Sequence, residues 1–294
     1  MNRSNATVSH RKKWSYIPYL FIAPNMLLFL CFMIIPIFFT LYISLTNWSI
    51  IGTPRFVGIK NYIYMFQNGT FWLSLLNNLY FTAVTVPVTI VLAFLFAVLL
   101  NKTLPLRGAF RTAIYLPFVV STVASGILWV WIFNANFGVF NYLISLLGCK
   151  PVDFFTNGKI AMIPIILTTI WARTGYNMVI YLAALQDVPK SYYEASLIDG
   201  ANKWQQLRFI TLPMLRPTHL FVFIMAIIFS FKSFDLIYIM TRGGPGSSTT
   251  TIAVYIYKMA FELGKMGRAS ALGIILFVIM ATLTILQLKT EGQK

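Results

Sequence analysis

Charge is what this 294-residue chain has least of. Asp, Glu, Lys and Arg make up 10% of it, against about 25% in ordinary soluble proteins, and only 7 residues are acidic. A water-soluble fold of this length cannot cover its surface with so few charges. Cysteine is equally scarce, at 2 residues, which excludes a disulfide scaffold. Cys31 falls inside an apolar run and Cys149 in a polar stretch, which argues against a bridge between them. The 2 histidines, His10 and His219, stand alone, with no CxxC or His/Cys cluster to suggest a metal, and both read as interfacial polar residues. Glycine shows no triplet period, so a collagenous fibre is excluded too.

What is present is apolar surface. Hydrophobic residues make up 58%, against about 45–50% in soluble proteins, which rules out disorder and leaves an integral membrane protein. A spanning helix needs about 20 apolar residues. Six runs meet that need: roughly 16–45, 73–100, 110–133, 160–185, 218–240 and 269–288. The first, interrupted by Pro24 and Pro36, has a basic lead like a signal peptide, but it is too long and no cleavage site follows it, so it reads as a retained span. The expected organisation is a tail at 1–15, a six-span domain at 16–288 with a polar loop at 186–216, and a tail at 289–294.

Lys and Arg total 23, a formal net charge of +16. They are scattered among apolar spans rather than gathered in a stripe, which argues against nucleic acid. With an even number of spans, 13 of them fall on the side of the termini and 8 on the other, a modest bias toward cytoplasmic termini.

One segment does not suit a bilayer. Gln186 to Arg216 holds three of the acids, Asp187, Glu194 and Asp199. Ser191 followed by Glu194 reads as a capping box, Asp199-Gly200 as a break, and Ala201–Phe209 as a second short helix ended by Leu212-Pro213; Pro217 marks the next span. Local physics leaves two roles open, a membrane-resting linker or a dock for a soluble partner.

The same stretch resembles the EAA motif of binding-protein-dependent ABC importer permeases. Glu194-Ala195-Ser196 is followed by Gly200, Ile210, Leu212 and Pro213 at the family spacing, with Ser at the third position where the family has Ala. Thr241-Arg242-Gly243-Gly244-Pro245 resembles a second signature of the sugar-type permeases, those related to the larger maltose permease subunit, and the likeness runs from Phe21–Pro24 to the last span. The chain is similar to a compact six-span form, without extra N-terminal spans or a large external domain. The resemblance implies an all-α membrane permease of the type I importer kind with a cytoplasmic coupling helix. That helix, comprising Tyr193, Glu194, Ala195, Ser196, Leu197, Asp199 and Gly200, would sit in a groove of an ATPase subunit. Tyr193, Glu194 and Leu197 are spaced to share a face.

The resemblance further implies a second, unlike permease subunit, a cytoplasmic ATPase dimer carrying ATP and Mg, an external solute-binding protein, and a place in the cell membrane with both termini cytoplasmic. This chain is then a transporter subunit and not an enzyme, with no cofactor of its own. The residues agree on one point: no G-x-x-x-x-G-K-[ST] phosphate loop occurs, and Gly243–Gly246 read as a turn. Two rival classes are a passive six-span channel or carrier, against which the coupling loop speaks, and a membrane-embedded enzyme, for which no catalytic constellation is visible.

Ionisable groups inside spans are costly and point to function by default. Three occur: Arg173 in the fourth run, and Lys232 and Asp235 in the fifth. Lys232 and Asp235, three apart, either neutralise each other or line a wet cavity. A sugar path wants aromatic faces and polar tips. The fourth run offers Trp171, Arg173, Tyr176 and Asn177, and the fifth Phe229, Ser230, Ser233 and Asp235. The resemblance places substrate contacts near Arg173, Tyr176, Phe229 and Ser230. The family contact at the first position is small, so Arg173 raises an anionic solute, a uronate oligosaccharide or a glycerophosphate compound, beside a neutral sugar.

Overall fold

The computed structural model describes residues 17–102 and 105–291. The basic lead Arg11-Lys12-Lys13, His10 and the tail reading at 1–15 lie outside the described residues, as does 292–294 of the second tail. Among the described residues the fold is all-helical, with a single isolated bridge between Thr46 and Phe56.

The first run forms one continuous rod: α1 (Ile17–Phe29), a π-helical turn (Leu30–Ile34) and α2 (Ile35–Ser44). Neither Pro24 nor Pro36 interrupts it. The Ile35 amide reaches back five residues to Leu30. This wider turn stands immediately before Pro36, which has no N–H to offer the ladder. The rod is exposed along most of its length, with Ile43 and Ser44 buried at its end. Asn61, at the start of α3 (Lys60–Gln67), donates to the Ser44 and Thr46 carbonyls at 2.8 and 2.7 Å and fixes the chain as it leaves the rod.

α4 (Gly69–Leu100) is capped by Asn68, whose side chain accepts the Thr70 amide. Its buried stripe recurs every three or four residues: Phe71, Ser74, Asn78, Phe81, Thr82, Thr85, Val86, Thr89, Ala93, Ala97 and Leu100. The stripe is hydroxyl-rich in its first two-thirds and small thereafter, which lets α8 (Met162–Asp187) approach along its length. Tyr181, Met178 and Leu182 of α8 close over Ala93 and Ala97. The α8 hydroxyls bond within their own helix: Thr168 donates to the Pro164 carbonyl at 2.7 Å and Thr174 to Ile170 at 2.6 Å.

The third and fifth runs are not straight spans. α5 (Arg107–Val119) and α6 (Thr122–Ile132) meet at 99°, beyond Pro117. The segment after α9 (Lys190–Ile198) runs through α10 (Lys203–Gln206), a π turn (Leu207–Thr211) and α11 (Leu212–Met214), then bends by 67° into α12 (Arg216–Phe231). Leu212-Pro213 was expected to end the short helix. Instead the Leu212 amide bonds Leu207, five residues back, and the helical path carries through Pro213 to Met214. The expected single run 218–240 is two helices, because α12 stops at Phe231 and α13 (Asp235–Thr241) begins after a three-residue gap. α7 (Val139–Leu146), α14 (Ile252–Tyr257) and α15 (Met266–Glu291) complete the chain, and α15 packs on α2 and α3.

Among the described residues, three helices are long and apolar enough to cross a membrane, or up to five if each bent pair is one span. α8 is not among them despite about 39 Å of length at 1.5 Å per residue, because Arg173 to Asn177 interrupts its apolar run. His219 is tied into the helix packing: its Nδ1 lies 2.9 Å from the Tyr181 hydroxyl, with the ring edge-on to Phe94.

α5 and α8 cross at Gly175, where a Cβ would overlap the Ile114 carbonyl oxygen and come within 2.7 Å of the Tyr115 Cα. Both obstacles are backbone and cannot rotate aside. Gly175→Ala is expected to destabilise the protein by about 1–3 kcal/mol. Gly273→Ala, in open space on α15, is expected to leave stability unchanged or slightly higher. Thermal unfolding of the two purified variants checks the contrast.

Candidate functional site

The sugar-path candidates fall around an open cavity of about 460 Å³ between α4, α8 and α12. Arg173, Tyr176, Asn177, Phe229, Ser230 and Ser233 all line it. Thr85, Val86 and Thr89 of α4, Thr169 of α8 and Ala226 of α12 complete the wall. A second cavity of about 470 Å³ lies on the α5–α6 side, lined by Phe118, Thr122, Ser125 and Leu236 among others. Thr169, Arg173 and Ser233 belong to both walls.

The aromatic groups form a connected set. Phe118 stacks on Tyr176 with ring centres 4.7 Å apart and 26° between planes, and Tyr176 meets Phe229 edge-on at 6.2 Å. The Arg173 guanidinium carbon sits over Phe229 at 4.9 Å and over Phe118 at 5.6 Å. These cation–π contacts hold the side chain without a counter-charge. Ser230 and Thr82 share a hydrogen bond at 2.7 Å, which ties α12 to α4 beside the cavity.

Three residues of the expected set stand elsewhere. Asp235 is exposed at the first position of α13, and Lys232 is exposed at the C-cap of α12. The gap between the two helices removes the single-helix geometry that their three-residue spacing presumed. Trp171 packs edge-on to Trp129 at 5.5 Å and lines neither cavity. Phe118, Thr82, Thr85, Thr89 and Thr169 were missed. The threonines had a legible signal, since Thr82, Thr85 and Thr89 repeat at helical spacing within an aliphatic run. Phe118 had none, because its place depends on the α5–α8 crossing.

The polar loop forms α9, but not as the Ser191–Glu194 pattern predicts. The helix begins at Lys190 with Pro189 at its N-cap and no side-chain cap. The capping box stands at α10 instead, where Asn202 accepts the Gln205 amide at 2.9 Å and Gln205 returns the bond at 2.7 Å. α9 ends in a Schellman turn. The Ala201 amide bonds the Ser196 carbonyl at 2.9 Å and the Gly200 amide bonds Leu197 at 3.1 Å, with Gly200 at φ +77°.

Tyr193 does not share the face of Glu194 and Leu197. Its hydroxyl lies 3.0 Å from Thr211 Oγ1, and its ring packs against the α4–α8 core. Ser196 also turns inward, receiving a hydrogen bond from Gln206 at 2.9 Å. An alanine at that position could not receive it, so the departure from the family pattern has a physical use here. Glu194, Ala195, Leu197 and Asp199 remain exposed, Leu197 at 64%.

The Thr241–Pro245 signature is a knot of short bonds. Thr241 and Thr249 share a hydrogen bond at 2.7 Å; Thr249 and Thr250 donate to the Gly244 and Gly243 carbonyls, each at 2.9 Å. A Cβ on Gly243, at φ +81°, would meet the Thr250 hydroxyl at 2.5 Å. Asn77 of α4 donates to the Ser247 and Thr250 carbonyls at 2.9 and 3.0 Å and so pins the knot to the helix that lines the cavity. Asn77→Ala removes both bonds and is expected to cost about 1–3 kcal/mol, read as a lowered thermal midpoint of the purified protein.

Comparison with known proteins places this geometry. Residues 67–289 match the family described as binding-protein-dependent transport system inner membrane component. The trehalose/maltose transport system permease protein MalF of Thermococcus litoralis is 34% identical over 287 residues, covering 97% of each chain. The lactose transport system permease protein LacF of Rhizobium radiobacter is 37% identical over 275 residues, covering 92% of each. Among solved structures, a chain of a bacterial alginate ABC transporter, in complex with an alginate pentasaccharide-bound periplasmic protein, superposes with a TM-score of 0.83 at 24% identity over 92% of each chain, and shares the fold. The chain therefore belongs to the binding-protein-dependent transport family and is an inner membrane permease component of the ABC transporter type.

Proposed function

We propose that this chain is one permease subunit of an ATP-driven importer, and that it passes a sugar handed over by an external binding protein. The observation that carries this is the cavity between α4, α8 and α12, where aromatic rings and hydroxyls converge within otherwise apolar helices. Rings suit the C–H faces of a sugar, and Thr85, Thr89, Thr169, Ser230 and Ser233 suit its hydroxyls. The sugar permeases among its relatives support the substrate class.

In this reading the chain spans the membrane six times: the α1–α2 rod, α4, the bent α5–α6 pair, α8, the segment through α12, and α15. Both termini face the cytoplasm, in line with the 13 to 8 division of basic residues. The tails at 1–15 and 289–294 then flank a spanning domain at 16–288. The α9 loop also faces the cytoplasm and docks on an ATPase dimer that binds ATP and Mg. A second, unlike permease subunit completes the path. Glu194, Ala195, Leu197 and Asp199 supply the exposed docking face. Tyr193 and Ser196 hold that face rigidly on α10 and Thr211, so displacement of α9 is passed to the spans and the cavity alternates its access.

Two substitutions test the coupling. Glu194→Lys reverses a charge on the exposed face, and Gly200→Pro forces φ near −65° where the turn needs +77°. Each is expected to abolish ATP-dependent sugar uptake by the reconstituted importer while the chain still inserts into the membrane. Undiminished uptake in both variants refutes the docking role. Uptake by this chain alone without ATP refutes the importer reading in favour of a passive carrier.

A further inference from the structure

We propose that Arg173 makes this path selective for a sugar bearing a carboxylate, a claim that rests on the cavity being the sugar path. Arg173 stands midway along α8 in the wall shared by both cavities, and no acidic side chain lines either one. Among the described residues, the guanidinium lies over the faces of Phe118 and Phe229, which accept no N–H hydrogen bond of ordinary strength, with Tyr176 as a further neighbour to which it makes no hydrogen bond. The five N–H donors of the guanidinium therefore open onto the cavities without a protein acceptor.

Such a cation within spanning helices is retained against a large cost unless something compensates it. A neutral sugar does not, because its hydroxyls accept hydrogen bonds but bring no charge. A carboxylate does both, and its two oxygens match the planar fork of an arginine. The remaining groups divide the work. Thr85, Thr89 and Ser230 line one side of Arg173, and Thr122 and Ser125 the other. Thr85 already donates to the Phe81 carbonyl and Ser230 shares a bond with Thr82, so both meet a sugar hydroxyl with their remaining lone pairs. Ser125 is buried with an unpartnered hydroxyl. With a cavity on each side, the cation is placed to hold the acid group of a sugar unit while its neighbours extend both ways. Lysine at this position would give a point charge without the fork, and leucine or methionine would give neither.

The test is equilibrium binding to the purified importer with all its subunits, using galacturonate and galactose trisaccharides of the same linkage. The wild-type complex is expected to bind the galacturonate at least about tenfold more tightly, a difference of about 1.4 kcal/mol. Arg173→Met is expected to weaken galacturonate binding at least about tenfold more than galactose binding and so erase that preference, and Arg173→Lys to keep part of it. A wild type that binds the neutral trisaccharide as well or better overturns the proposal, as does an Arg173→Met complex that keeps the preference. Should Arg173→Met fail to assemble, Arg173→Lys decides: an undiminished preference there overturns the role of the fork. ATP-driven uptake by the wild type separates the two claims. Entry of the neutral sugar without the acidic one overturns only the carboxylate claim, and entry of neither overturns the sugar reading as well.

Discussion

The seam between α4 and α8 is the constraint on which the rest of the molecule depends. In a membrane, lipid tails solvate apolar side chains as well as a protein core does, so helices associate through close packing and internal hydrogen bonds. α4 meets this condition with Ala93 and Ala97 at one end of its stripe and with Thr82, Thr85 and Thr89 nearer the middle. The small residues admit Tyr181 and Met178 of α8, while the hydroxyls cannot pack as tightly without partners. The seam is therefore dry where alanines face α8 and opens into a cavity where threonines do. Position along one helix stripe thus separates a close structural contact from the wall of a cavity.

The same shortage of water explains how the prolines are housed. A proline inside a helix leaves a carbonyl without its amide and crowds the preceding turn. Twice the chain answers with a π-helical turn whose last bond falls on the residue just before the proline, at Ile35 before Pro36 and at Leu212 before Pro213. The wider turn lets the helix pass through. Pro24 of α1 and Pro87 of α4 lie inside helices that run on without such a turn, whereas α5 ends two residues after Pro117, at Val119, and the path bends by 99°.

This distinction was not legible in the sequence, and the reason is physical. Apolar runs showed where helices lie, because every backbone amide in lipid must be bonded within its own segment. That argument fixed α4, α8 and α15 to within a few residues. It could not say whether a proline would bend a helix or be absorbed, since the two outcomes differ by one hydrogen-bond register. The run at 110–133 came out broken two residues past Pro117, and the run at 218–240 broke at 232–234, where no proline stands. In the site, Arg173, Tyr176, Asn177, Phe229, Ser230 and Ser233 stood out by residue type, four of them also through the family resemblance, and all six line the cavity. Asp235 was not correctly placed, because the gap after Phe231 turned it away. Tyr193 was read as part of the exposed face of α9; its inward turn depends on Thr211, 18 residues away.

The bend and the site are linked through Gly175. It lies two residues after Arg173 and one before Tyr176, and it is where α5 touches the α8 backbone at Ile114 and Tyr115. Phe118 follows three residues later on α5, stacked on Tyr176 and beneath the guanidinium of Arg173. Two backbones in direct contact leave no soft side chain to absorb a change of angle. A pivot at this crossing must therefore carry Phe118 across Tyr176 and Arg173, and Phe118 is the ring on the α5 side of the second cavity. The width of the wall between the two cavities is then set by the angle of α5 against α8. In the importer reading proposed above, a rocking motion of the spans would be converted at this glycine into the opening or closing of one cavity toward the other.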